Sequence, residues 1–328
     1  MTGVHFGFDD DQLAFRDAVR DLLDKECPPE AVRAAGEAAS LDRGVWDRLV
    51  DMGVPAILAP DDRGGLGLDE RSLVLVLEEA GRAALPHPLV DTAAVAAPLL
   101  GGDAGLVATD LGGPHVACAA DADALLLHRD GALWLVDPAT VTLNPVATVD
   151  PARRAATVSQ TDVAAPTATY RRMRRQIGGS SAVAAAFDRG AWGTAAVLLG
   201  LGARMLELTV AHVTERHQFG VPVGSFQAVK HRLADAHKDL AFARPAVHRA
   251  AHSLATGAAT ATRDVSMAKA MASDAAWRAG RAALQCHGAI GYTVEHDLHL
   301  YLKRTWALAK AWGDAAWHRD RVATAIGI

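Results

Sequence analysis

The residues with the clearest chemical potential lie between Arg216 and Gln227, in the segment RHQFGVPVGSFQ. A guanidinium, a planar amide and an aromatic ring occur close together, at Arg216, Gln218 and Phe219. An arginine fork can hold a phosphate or a ribose in a fixed geometry, and a phenyl ring offers a flat face to a base. The segment therefore predicts a nucleotide-binding corner, but its spacing alone leaves open which nucleotide is bound.

A short turn follows these groups and separates two predicted helices. Gly220, Pro222 and Gly224 disfavour continuation of the helix that enters the segment. Ser225 is a favourable N-cap residue for the next helix. We therefore expect the nucleotide-binding groups at a helix–turn–helix corner.

This segment resembles the signature of the flavin-dependent acyl-CoA dehydrogenase family, Arg-x-Gln-Phe-Gly-x-Pro-x-x-x-Phe-Gln. A second segment, from Gln285 to Tyr292, is close to that family's Gln-x-x-Gly-Gly-x-Gly-Tyr, with Ala289 in place of the second glycine. The N-terminal third agrees as well, in GGLG at 64–67 and EEAGR at 78–82. The resemblance covers nearly the whole chain.

In that family, residues of these two segments reach across a subunit interface and hold the ADP half of the neighbouring subunit's FAD. The resemblance implies that Arg216 contacts the diphosphate, that Gln218 contacts the adenosine and that Gln285 hydrogen-bonds the ADP portion. Gly288 would let the backbone approach the ADP portion closely. Ala289, which replaces the family's second glycine, would weaken this contact. An alternative is that these residues only maintain a helix–turn–helix interface. The full set is Arg216, Gln218, Phe219, Phe226, Gln227, Gln285, Gly288 and Ala289.

The family's reaction needs a carboxylate base beside the carbon next to a thioester. In most members this base is a Glu a short distance after an Arg, which resembles Arg304 here, and the Glu position falls at Gly313. Some members carry the base on the first bundle helix, at a position near Gly190. The neighbouring acids are Asp314, which is one methylene shorter, and Asp188, which lies about half a helical turn away. The resemblance therefore implies no catalytic residue in this chain, with Asp314 and Asp188 as the alternatives.

Composition and periodicity predict a mainly α protein with a small β domain. The predicted domains are an all-α N-terminal domain at 1–111, a shortened β domain at 112–178 and a C-terminal four-helix bundle at 179–328. The resemblance implies that the middle domain is a truncated, barrel-like version of the family's β domain. The family's Leu-Thr-Glu-Pro-type loop and Trp-x-Thr segment, which hold the flavin ring, are absent between residues 112 and 140.

The short β-type runs in this middle region are separated by turns. A predicted helix at 73–84 precedes the region and is expected to carry Glu78 and Glu79 outward. The predicted strands cover residues 115–119, 124–128, 132–136, 141–145 and 155–159.

A net charge of −5 gives no electrostatic case for nucleic-acid binding. The basic run at 171–175 is interpreted as a solvated linker face. Three scattered cysteines and the lack of a signal-like N-terminus predict a reduced, cytoplasmic protein. The apolar run at 191–203 is too short for a membrane span and predicts a buried helix.

No metal site is predicted. The pair His248 and His252 could place two imidazoles on one helix face, as could His296 and His299. Neither pair carries the Glu of a zinc-hydrolase motif. Both are interpreted as solvated helix faces.

Taken together, the residues and the resemblance predict the non-catalytic subunit of a heteromeric (α2β2) acyl-CoA dehydrogenase. The expected partner is a homologous full-length subunit that shares its FAD with this chain. The resemblance implies an acyl-CoA substrate of the bulky steroid side-chain type and electron-transferring flavoprotein as acceptor. The alternatives are a self-sufficient homo-oligomeric dehydrogenase that uses Asp314, and a flavin-free acyl-CoA-binding or scaffold protein.

Overall fold

The structure is a computed structural model that describes residues 7–159 and 174–328. Helices at the N-terminus, short strands in the middle and long helices at the C-terminus follow one another along the chain. This order confirms the mainly α class with a small β region. Most of the basic run at 171–175 lies outside the described residues, so its interpretation stays a prediction.

The N-terminal region buries its helices against one apolar core. Its first helix begins at a capping box, because the Asp9 side chain accepts the Gln12 backbone N–H at 2.8 Å and the Gln12 side chain accepts that of Asp9. A π-helical segment, Val90–Ala96, leads into the last helix. The helices are α1 (Asp10–Glu26), α2 (Pro29–Glu37), α3 (Gly44–Asp51), α4 (Glu70–Arg82) and α5 (Ala97–Leu100).

Glu78 and Glu79 of α4 point inward, so the expectation that they face outward is wrong. Glu79 accepts two hydrogen bonds from Arg20, at 2.6 and 2.9 Å, and also pairs with Arg82. Glu78 accepts a 2.7 Å hydrogen bond from Nε2 of His248. Buried carboxylates are tolerated when they are paired in this way, and a single-sequence pattern does not show partners so distant in the chain.

The middle region contains open sheets. The described strands are β1 (Val107–Thr109), β2 (Ala124–Arg129), β3 (Ala132–Val136), β4 (Thr142–Pro145), β5 (Ala156–Ser159) and β6 (Arg174–Gly178). They form a four-stranded sheet in the order β1-β2-β3-β6 and a separate β4-β5 hairpin, with β1 parallel to β2 and the other pairs antiparallel. Within the described residues the barrel-like expectation is therefore wrong.

Two strand predictions also differ from the structure. Residues 115–119 form no strand and contribute a single bridge between Val116 and Ala156. Strand β1 precedes residue 112, where the middle domain was predicted to begin. Its three residues are too few for an alternating pattern to be recognised.

The C-terminal helices are α6 (Ser180–Glu215), α7 (Gln227–Ala255), α8 (Ala261–His287), α9 (Leu298–Lys310) and α10 (Ala315–Ile326). Helix α6 packs against α7, α8 and α4. It is long and apolar enough to span a membrane, but most of its apolar window is buried inside the protein, as predicted for 191–203. The predicted fourth helix is divided between α9 and α10, because Trp312 and Gly313 adopt left-handed backbone conformations at φ 59° and 84°.

Glycine residues bring α4 and α6 into backbone contact. A Cβ at Gly81 would lie 2.1 Å from the carbonyl oxygen of Val197, and one at Gly200 would lie 1.9 Å from that of Glu78. Only glycine permits this approach. Gly200 and Gly202 therefore serve helix packing.

Candidate functional site

The two signature segments meet at one end of the helical bundle. Arg216 directly follows α6, and Gln285 lies in the last turn of α8. His212 of α6 stacks on His287 of α8 with ring centroids 4.4 Å apart. Segments that are far apart in sequence are thus held side by side by the packing of these two helix ends.

The first segment forms a tight hairpin. Strands β7 (His217–Gln218) and β8 (Val221–Pro222) are antiparallel, with His217 opposite Pro222. The two turn residues, Phe219 and Gly220, have φ angles of 52° and 79°. Positive φ at both positions is the requirement of a type I′ turn.

Phe219 is strained and unprotected. A left-handed conformation costs a residue with a side chain about 1–2 kcal/mol. Burial of the ring within the chain does not offset this free-energy cost, because Phe219 is 93% exposed. Strained backbone of this kind occurs frequently at functional sites, which agrees with the binding role that the sequence predicts for Phe219.

The helix after the turn begins differently from the prediction. Helix α7 starts at Gln227 with Phe226 at its N-cap position and no capping side chain. The Ser225 hydroxyl donates instead to the carbonyl oxygen of Pro222 at 2.7 Å. The predicted Ser225 N-cap is therefore wrong, because the hydroxyl closes the preceding short 3₁₀ turn. Phe226 meets Phe219 edge to face, with centroids 6.3 Å apart.

The predicted cofactor residues share a solvent-exposed location. Phe226 is exposed, though less so than Phe219. Gly288 directly follows α8 with φ 65°, and a Cβ added there would meet nothing within 4 Å, so the backbone is open to close approach. Tyr292 and Val294 extend the exposed apolar surface. The other exposed members of the set are Arg216, Gln218, Gln227, Gln285 and Ala289.

This surface has the chemistry required by the ADP half of FAD. It offers a solvent-accessible guanidinium for a diphosphate, exposed rings for an adenine face, and a backbone segment without an obstructing side chain. The Gln218 amide donates to the carbonyl oxygen of its neighbour His217 at 2.8 Å, which leaves its oxygen as an acceptor. The residues therefore fit the group, and their contact with it remains a prediction.

Gly313, where the resemblance predicts the family's base, is a glycine. Gly313 is left-handed, and a Cβ there would lie 2.6 Å from the ring of Trp317. The neighbouring Asp314 caps α10 by accepting the Trp317 backbone N–H at 3.0 Å, and it pairs with Lys310 at 3.2 Å. These two partners hold the pKa of Asp314 below its usual range. Asp314 is therefore committed to capping a helix and is a poor proton acceptor.

The alternative base position is equally closed. A Cβ at Gly190 would lie 2.3 Å from the ring of Trp312, which leaves no room for a larger side chain. Asp188 is buried and accepts hydrogen bonds from Thr262 at 2.6 Å and from Arg321 at 2.7 Å. Asp188 thus forms a fixed internal ion pair that holds α6, α8 and α10 together.

Arg304 ties α9 to two distant segments. It is buried, pairs with Asp150 and donates to the carbonyl oxygen of Leu85 at 2.6 Å. With Asp91 and Arg153 it lines a cavity of about 70 Å³. Burial raises the pKa of Asp91 to about 7. This internal charged group was not predicted, because no local pattern connects its residues.

Lys269 is a buried lysine that contacts the backbone of Gly313, and the sequence analysis did not predict it. Lys269 is completely buried in α8, and its ammonium donates to Ser273 at 3.1 Å, to the carbonyl oxygen of Gly313 at 3.0 Å and to that of Ala309 at 3.4 Å. Burial lowers the pKa of Lys269 to about 7. It holds the turn between α9 and α10 in place.

The histidine predictions need correction. His248 is only partly exposed and is fixed by Glu78 and by the ring of Phe8, with centroids 5.0 Å apart. With His252 it lines a groove of about 1590 Å³ between the N-terminus, α6 and α7. His296 contacts His287 at 4.5 Å between ring centroids. A solvated helix face therefore describes neither His248 nor His296.

Comparison with known proteins agrees with this architecture. Residues 9–102 match the acyl-CoA dehydrogenase N-terminal domain, and residues 178–327 match the acyl-CoA dehydrogenase C-terminal domain. The chain is 34% identical to acyl-CoA dehydrogenase IpdE2 of Mycolicibacterium smegmatis over 91% of its own length and 93% of the relative's. It is 33% identical to the Mycobacterium tuberculosis protein of the same name, over 92% of each chain.

Solved structures share the fold. The ChsE4-ChsE5 complex from Mycobacterium tuberculosis contains a chain with a TM-score of 0.86 at 24% identity, over 99% of each chain. A steroid acyl-CoA dehydrogenase variant, Tcur3481-Tcur3483, gives 0.84 at 22% identity over 97% of this chain and 98% of that one. Butyryl-CoA dehydrogenase from Megasphaera elsdenii gives 0.85 at 20% identity over 99% of this chain and 100% of that one. With its two domain matches and its full-length relatives, this chain belongs to the acyl-CoA dehydrogenase family, whose members are FAD-dependent flavoproteins.

Proposed function

We propose that this chain is the non-catalytic subunit of a heteromeric acyl-CoA dehydrogenase, and that it completes the FAD site of a full-length partner. The observation that carries the proposal is Phe219, an aromatic ring in a strained turn with 93% of its surface exposed. Apart from its edge-to-face contact with Phe226, this ring gains further stability only when something outside the chain covers it. The ADP half of a flavin bound by a partner subunit would do so.

The residues of this chain would bind and orient the dinucleotide. Arg216 would neutralise the diphosphate through a charge-assisted fork. Phe219 and Phe226 would enclose the adenine, and Gln285 would hydrogen-bond the ADP portion. When bound, FAD supplies the hydride acceptor for desaturation of the acyl-CoA beside its carbonyl group.

The proposal that the base comes from the partner rests on the two positions where a base is expected. A Cβ at Gly313 or Gly190 would lie within 2.6 Å of a tryptophan ring, so a carboxylate side chain fits at neither position unless that ring moves. Asp314 caps a helix, and Asp188 is held by Arg321. These commitments argue against the alternative of a homo-oligomer that uses Asp314.

Structural neighbours support a heteromeric assembly and a steroid-type substrate. The ChsE4-ChsE5 structure is a complex of two differently named proteins, and the Tcur3481-Tcur3483 enzyme is described as a steroid acyl-CoA dehydrogenase. By analogy we propose a heterotetrameric assembly, a bulky steroid-type acyl-CoA as substrate, electron-transferring flavoprotein as acceptor and a cytoplasmic location.

The test is to purify the chain alone and together with a full-length family member encoded beside it, and to record visible spectra and masses. We expect a colourless lone chain and a yellow complex with fewer flavins than subunits. A yellow, active lone chain would overturn the proposal. A stable but colourless complex would instead support the flavin-free scaffold.

Variants of the complex test the assigned residues. Arg216→Ala and Phe219→Asn should each lower the flavin content of the complex without dissociating the subunits. Asn tolerates the left-handed conformation, so Phe219→Asn removes the ring while it relieves the strain. Arg278→Ala, which removes an exposed arginine of α8 paired with Asp239, is the matched control and should retain the flavin.

A further inference from the structure

Three histidines from three separate segments converge behind the signature segments. His212 lies in the last turn of α6, His287 ends α8, and His296 lies in the loop before α9. One ring nitrogen from each lies within 4.8 Å of those of the other two. We refer to His212, His287 and His296 as the histidine cluster.

His287 is oriented for a ligand that the described residues do not supply. Its Nδ1–H donates to the carbonyl oxygen of Ala283 at 2.8 Å. This bond fixes the tautomer and places a lone pair on Nε2. His287 is 5% exposed, and its Nε2 has no hydrogen-bond partner among the described residues. A hydrogen bond on one ring nitrogen and an unused lone pair on the other is the arrangement of a metal-binding histidine.

The structure assigns to the histidine cluster a binding site for a divalent transition-metal ion, with zinc as the best-suited member. Imidazole nitrogens suit Zn²⁺, Ni²⁺, Co²⁺ and Cu²⁺, whereas Mg²⁺ and Ca²⁺ prefer oxygen. Three imidazoles also leave one position of a tetrahedral zinc open to water.

Binding requires a small rearrangement. Nitrogens that share a tetrahedral zinc at about 2.0–2.1 Å lie roughly 3.4 Å apart, so the cluster must contract. His212 and His287 are stacked at 19°, and the half-exposed His212 ring must turn out of the stack to direct its lone pair at the metal. His296 accepts the Leu298 N–H at Nδ1, so either this bond or the proton on its Nε2 must be given up. His296 is therefore the weakest of the three ligands.

The experiment is titration of the untagged, metal-free chain with ZnCl₂ by calorimetry, and with Co²⁺ by visible absorption. We expect one tight site per chain, an intense tetrahedral Co²⁺ band, and a raised melting temperature with Zn²⁺. His287→Ala and His212→Ala should weaken binding by more than the roughly 10- to 100-fold that loss of an orienting partner costs, and His296→Ala should weaken it less. His237→Ala, an exposed histidine of α7, is the control and should bind as the unmodified chain does.

The proposal is independent of flavin binding. Arg216→Ala, which should lose the flavin from the complex, should retain the metal site. Because His287 is buried, His287→Ala is assayed together with a melting curve without metal, and the half-exposed His212 gives a second variant that keeps the fold. If the unmodified chain binds Zn²⁺ no more tightly than His212→Ala does, the cluster is only a packing contact between three rings and the proposal is wrong.

Discussion

At the scale of single residues, Lys269 gives a prediction that depends only on the folded chain. Its pKa of about 7 lies below the ordinary lysine value, so between these values the unfolded chain holds a proton that the folded chain has released. Stability must then rise with pH from about neutral to about pH 10, by at most about 1.4 kcal/mol per pH unit from this group. Below pH 7 both states are protonated, and the contribution no longer changes.

The change to test is Lys269→Met. It should remove the pH-dependent gain, and it should destabilise the chain at pH 9 by about 1–3 kcal/mol, because the carbonyl groups of Ala309 and Gly313 lose a buried donor. Urea unfolding at pH 7 and pH 9 measures both effects. Lys25→Met replaces an exposed lysine and should keep the slope of the unmodified chain. An unchanged slope in Lys269→Met would show that the buried amine keeps its proton.

At the scale of elements, the contact between α4 and α6 depends on Gly200. An added Cβ would lie 1.9 Å from the carbonyl oxygen of Glu78 and 2.8 Å from the backbone nitrogen of Arg82, and neither backbone atom can move without the whole helix. Gly200→Ala should therefore destabilise the chain by about 1–3 kcal/mol, despite the better helix propensity of alanine. The midpoint of urea unfolding measures this. Gly179→Ala, where a Cβ meets nothing within 4 Å, is the control, and equal midpoints would contradict the packing argument.

Elements also show where sequence reasoning succeeds. The C-terminal long helices and the helix–turn–helix corner at 216–227 depend on local patterns, and the structure places each close to its predicted position. The inward orientation of Glu78, the brief strand β1 and the bonding of Ser225 to Pro222 depend on partners or on lengths that no local pattern contains. The histidine cluster was missed for the same reason, because its members belong to three segments that only the bundle brings together.

At the scale of the whole molecule, the proposal that the partner subunit supplies the base predicts the effect of introducing an acid at Gly313. Gly313→Glu places a carboxylate at the family's usual position, but it also places a side chain at φ 84° and 2.6 Å from the ring of Trp317. The lone chain should lose stability and gain no dehydrogenase activity, because no segment like the family's flavin-ring loop occurs between residues 112 and 140. In the complex, turnover should stay unchanged if the partner supplies the base.

Gly313→Asn separates the effect of backbone strain from the effect of the added carboxylate, because asparagine tolerates a left-handed backbone and carries no carboxylate. A melting curve should show a smaller loss of stability for Asn than for Glu, while both complexes keep the flavin spectrum and turnover of the unmodified enzyme. Acyl-CoA-dependent bleaching of the flavin provides the readout of turnover. If the lone Gly313→Glu chain became yellow and active, this subunit would contain a complete site that lacked only its base, and the proposed dependence on a partner would be wrong.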